Sequence, residues 1–96
     1  MHLTHKDVWL SYFENRQNQI HKLMGGDPLI ITADGCNDKQ GVSILKFSQK
    51  FRDELMARQK EGYKIIEANV NHIVYWQDED EDKEIEIVLP ELYLER

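Results

Sequence analysis

Apolar residues recur along this chain with two different periods, and the change between them falls at Glu61-Gly62-Tyr63. Before it, Ile44, Phe47, Phe51 and Leu55 are spaced by three and four, and Leu45 and Met56 widen that stripe to about half a helix circumference. This spacing predicts a helix over 43–61, with Ser43 as N-cap and Gly62 as the left-handed stop. A rival reading makes Val42 to Phe47 a strand and caps a shorter helix at Ser48, with Asp53 and Glu54 in its early turns. After Tyr63 the period is two. Ile66, Ala68, Val70, His72, Val74 and Trp76 then share one face of a strand, and Glu67, Asn69 and Asn71 the other. Beyond the acidic run 78–82, Ile85, Ile87 and Leu89 alternate with Glu84, Glu86 and Val88 as the return strand of a hairpin, which Leu92 and Leu94 extend past Pro90.

Upstream, Thr4-His5-Lys6-Asp7 has capping-box spacing, flanked by Leu3 and Val8 as a hydrophobic staple. A helix is expected from there to Gly25-Gly26, with Trp9, Tyr12, Phe13, Ile20, Leu23 and Met24 along one side. Asp27-Pro28 ends it, Leu29 to Thr32 suits a central strand, and Asp34 to Gly41 reads as a loop. The expected fold is therefore α+β, a small single domain over 1–96 in α-β-α-β-β order. An N-terminal helix (1–26) would precede a β-α-β-β core (27–96), with helices packed on one face of a mainly antiparallel three-stranded sheet. A helix ending in Glu-Gly-aromatic followed by a hairpin resembles some small bacterial and phage proteins, a likeness that carries no residue roles.

Composition adds limits. No apolar run approaches the roughly 18 residues that span a bilayer, and Met1 to Gly26 lacks the plan of a signal peptide, so a cytoplasmic protein without a membrane partner is expected. The single cysteine, Cys36, agrees with a reducing compartment. Net charge is −6, and it is unevenly placed: residues 77–95 hold nine acidic side chains against Lys83. Direct nucleic-acid binding is disfavoured, because affinity for phosphates comes from displacing counterions with Lys and Arg.

Candidate chemistry is sparse. Asp34-Gly35-Cys36-Asn37-Asp38 offers oxygen ligands but misses calcium-loop spacing, and His2, His5 and His21 have no second ligand at a diagnostic interval. His72 falls on the apolar strand face as a core histidine, unless slippage at a bulge turns it outward beside Ile73 and Tyr75. There is no phosphate loop, nucleophile elbow or isolated carboxylate pair, so no enzymatic activity, cofactor or metal is expected.

The leading expectation is a protein-interaction module. Asp78, Glu79, Asp80, Glu81, Asp82, Glu84 and Glu86 would dock on a partner's basic surface, because closely spaced carboxylates imitate a nucleic-acid backbone. In size and charge the chain resembles small acidic inhibitors encoded by phages and mobile elements. The alternative is a structural or regulatory homodimer with Trp9, Tyr12 and Phe13 in its interface. A weaker one is a small-ligand or accessory subunit with His72 and Trp76 near a pocket.

Overall fold

Ser48 decides between the two readings of the central segment. A serine inside a helix competes for its backbone, but at the N-cap it satisfies an orphan donor. Its Oγ accepts from Phe51 N at 3.2 Å with extended φ and ψ of −65° and 158°. The helix is Gln49–Lys60, and the residues before it form a strand, Ser43–Lys46. The stripe read as one helix thus belongs to two elements joined at Phe47, whose ring lies 5.0 Å from that of Phe51, tilted by 57°. The predicted stop is as expected: Gly62 has φ 98°, Gly62 N donates to Gln59 O, and Tyr63 N donates to Arg58 O.

The computed structural model describes residues 1–77 and 84–96. Its strands are β1 (Pro28–Ile31), β2 (Gly35–Asn37), β3 (Ser43–Lys46), β4 (Lys64–Gln77) and β5 (Glu84–Glu95); the helices are α1 (Gln17–Ile20) and α2 (Gln49–Lys60). All pairings are antiparallel, in the order β3-β2-β1-β4-β5, and the sheet curls into a half-barrel. This corrects the expected three-stranded sheet with helices on one face. Two strands lay in segments read as loop and helix, and β2, three residues long, is too short to show a period. Nor does α2 cover a face: it buries only Phe51 and Leu55, and Met56 is 55% exposed. No helix among the described residues is long and apolar enough to cross a membrane.

The N-terminal helix is also corrected. One of the two capping-box bonds forms, Thr4 N donating to Asp7 Oδ2 at 2.9 Å, but Asp7 N donates to the Thr4 carbonyl and closes a turn. Trp9 N then donates to Lys46 O at 2.9 Å, committing the backbone to β3 where a helix would need it. Only a 3-10 helix, Leu10–Asn15, and the single turn α1 come after it.

Bulges explain the curl. Ile66 and Asn71 are extra residues in β4 against β5, and Ile44 is extra in β3 against β2. Each such insertion bends its strand and tightens the twist. Each also resets the alternation. Ala68 and Val70 face the core, but beyond Asn71 the register puts Ile73 and Tyr75, the latter 71% exposed, on that side of the sheet, while His72 shares the other with Val74 and Trp76, both half-buried against the core. His72 itself is exposed. Leu29, Ala68 and Leu92 make one inner row across three strands, and Cys36 and Leu45 continue the core on the next two.

Residues 1–20 complete the structure by engaging both edges of this sheet. On the β5 edge, Leu92 N donates to Met1 O at 2.8 Å and Leu3 N to Pro90 O at 3.1 Å. Pro90 has no N–H to lose on that edge, which is why the strand runs through it. Farther along, the Gln17 amide stands in for a strand: Nε2 donates to Glu86 O and Glu86 N donates to Oε1, both at 2.9 Å. On the β3 edge, Val8 bridges Phe47, and Tyr12 Oη donates to Ser43 Oγ at 2.6 Å. Phe13 and Ile20 are fully buried.

Gly35 marks the tightest strand contact: a Cβ placed there would lie 1.9 Å from the backbone oxygen of Leu45. No rotamer change relieves a clash with backbone, so β2 and β3 would have to separate. Gly35→Ala is expected to destabilise by at least the roughly 1–3 kcal/mol typical of overpacking, read as a lower midpoint in chemical denaturation. A midpoint unchanged from wild type would refute the close approach.

Candidate functional site

Of the acidic residues expected to meet a partner, Glu84 and Glu86 belong to the β4–β5 ribbon. β1 pairs with β4 at Pro28 and Leu29, and the last backbone bonds on that side are Val70 N donating to Asp27 O at 2.8 Å and Gly26 N donating to Val70 O at 2.7 Å. From His72 to Gln77, β4 is paired with β5 alone, ending at Gln77 opposite Glu84. Asp78, Glu79, Asp80, Glu81 and Asp82 lie outside the described residues, between these two ends. Glu84 is exposed beside them. Glu86 is differently engaged: its Oε2 lies 3.3 Å from His21 Nε2, and its backbone is held by Gln17. It ties the N-terminal segment to the ribbon.

The three aromatics expected at an interface separate. Phe13 enters the core, whereas Trp9 is 58% exposed with its ring 6.2 Å from that of Tyr12. Tyr12 is flanked by two cations, the Arg16 guanidinium 5.1 Å and Lys46 Nζ 5.7 Å from its ring centre. Burial alone would raise the Tyr12 phenol, but the Ser43 hydroxyl, Arg16 and Lys46 together hold it below the usual tyrosine range. Lys46 in turn donates to Asp34 Oδ2 at 2.9 Å, which with Thr32 keeps the Asp34 carboxyl below its ordinary value despite some desolvation. Arg16 Nε is buried without a hydrogen-bond partner, a cost partly offset by the ring beneath the guanidinium. Periodicity could not disclose this cluster, because it placed Ser43 and Lys46 on a helix; as strand residues they meet the N-terminal segment.

The remaining candidates have structural employment. Asp38 Oδ1 accepts from Gln40 N and Val42 N, both at 2.9 Å, closing the turn between β2 and β3. Asp34 is engaged by Lys46, and among the described residues no three His, Cys, Asp or Glu side chains gather as a metal site would require. Cys36 is fully buried on β2, and burial pushes its thiol up to about 12, so its thiolate is negligible near neutrality. His2 Nε2 stands 3.4 Å from Glu91 Oε1, and the His5 ring stacks 4.9 Å from Trp76. Compared with models of protein families, with curated proteins and with solved structures, the chain finds no match.

The Tyr12 cluster has a spectroscopic consequence. The chain has four tyrosines, and in a difference-absorbance titration one should ionise below the others. Tyr12→Phe should remove that component, and Ser43→Ala should move it toward the ordinary range. If the low component survives Tyr12→Phe, the assignment fails.

Proposed function

We propose that the protein is a non-catalytic protein-interaction module that docks an acidic hairpin on a partner's basic, nucleic-acid-binding surface. The observation that carries this reading is the ribbon. β4 and β5 continue as a two-stranded arm past the last pairing with β1, and the chain joining its ends reads Asp-Glu-Asp-Glu-Asp-Lys. Such a series of carboxylates attracts Lys- and Arg-lined surfaces and steers encounter before contact. It does so over about a Debye length, roughly 8 Å at physiological salt.

Neutralising Asp78 to Asp82 with Asn and Gln should leave the melting temperature unchanged or slightly raised, since like charges repel. The same variant should recover less nucleic-acid enzyme from a lysate at low salt, associate more slowly with whatever the wild type recovers, and show a flatter salt dependence. An association rate that is equal for both proteins across the salt series would overturn the reading.

A second reading, self-association through the N-terminal segment, is favoured by one observation: Trp9 is 58% exposed and stacks on Tyr12 at the surface. Light scattering at high protein concentration should then give a dimer mass that Trp9→Ala returns to the monomer. A strictly monomeric wild type removes this reading.

A further inference from the structure

A cleft of about 750 Å3 opens between α2 and the adjoining ends of β1 and β4. Its volume falls within the roughly 300–1,000 Å3 of small-molecule sites. The walls combine apolar side chains, Ile31, Leu55 and Ile65, with the cations Arg52 and Lys64 and the amide of Gln59. Arg52 and Gln59 lie seven residues apart, two turns along one side of the helix, and both line the cleft. Across from them Tyr63, whose ring has the Arg96 guanidinium 5.6 Å from its centre, brings a third cation to the same end of the molecule.

The sign of this charge sets the cleft apart. In a chain with 18 acidic and 12 basic residues, its lining contains two cations and no carboxylate. Among the described residues neither Arg52 nor Lys64 forms an ion pair; the pairs present are His2 with Glu91, His21 with Glu86 and Lys46 with Asp34. Two cations beside an apolar wall, with no carboxylate in the lining, suit a ligand that joins an anionic head to an apolar body.

We infer that this cleft binds a small organic anion with an apolar body, the simplest being a monocarboxylate with a medium-length alkyl tail. Arg52 and Lys64 hold the head group, Gln59 donates to it, and Ile31, Leu55 and Ile65 receive the tail. The inference is independent of the acidic ribbon, whose pairing with a partner uses the other end of β4.

The test is an amide-shift titration of the full isotope-labelled chain with three probes, octanoate, octanol and acetate. Octanoate should give saturable shifts confined to residues 31–33, 52–59 and 63–65. Octanol, which lacks the charge, and acetate, which lacks the tail, should each bind about tenfold or more weakly. R52Q and K64Q should each weaken octanoate by roughly tenfold with no change in melting temperature, because both side chains are exposed. M56E adds a carboxylate at the rim, at a site open enough to tolerate it, and should weaken octanoate similarly. Three results overturn the proposal: octanol binding as tightly as octanoate, octanoate shifts scattered over the surface or absent, or octanoate binding unaltered in R52Q and K64Q.

Discussion

The fold depends on one short connection, the six residue steps from His2 to Val8, because that stretch is paired to opposite edges of the sheet. In a flat arrangement His2 would lie one strand beyond β5 and Val8 one strand beyond β3, six inter-strand spacings apart, or about 29 Å. Six residues reach at most about 20–22 Å. The sheet cannot be flat while both bridges hold, and the bulges at Ile44, Ile66 and Asn71 contribute to the curvature that closure needs. Curling then creates the interior that Phe13 and Ile20 enter, which is why a segment predicted to pack as a helix on a face instead closes a half-barrel.

That dependence also sets how much of the structure could be read from the chain. Signals that act within a few residues were legible: the Ser48 cap in the rival reading, the Gly62 stop, and the two long alternating runs that became β4 and β5. Features set by distant partners were not. Thr4 and Asp7 make their local bonds, yet the path of the chain beyond them is decided by Lys46 O and Phe47, nearly forty residues away. A bulge adds one residue without changing composition, so strict alternation carried His72 inward when Asn71 had already reset the face. For the sites, charge pointed to the ribbon, but the cleft between α2 and β4 is assembled from three elements whose adjacency no periodicity encodes.

Acidic residues do two different jobs in this molecule. In the first half they are mostly aspartates that close turns: Asp7 accepts from Thr4 N, Asp27 from Met24 N, Asp38 from Gln40 N and Val42 N, and Asp34 from Lys46. Their charge is spent locally, on hydrogen bonds that a neutral side chain of the same length would partly replace. In the second half, Glu54, Glu67, Glu84 and Glu95 are exposed on helix and strand surfaces, where a carboxylate contributes little to stability and much to the external field. Net charge alone cannot separate these uses; the hydrogen bonds do.

The two candidate binding features have opposite signs and sit at opposite ends of the same strand, so their mutual neutralisation has to be considered. Lys64 opens β4 and Gln77 closes it, 13 steps of about 3.3 Å, or at most roughly 43 Å along a strand that bulges and curl shorten. That is up to about five Debye lengths at physiological salt, so the cations of the cleft leave the field at the Gln77 end almost untouched. The extended hairpin that keeps the ends apart is in turn held by β1 on one side and by residues 1–3 and Gln17 on the other.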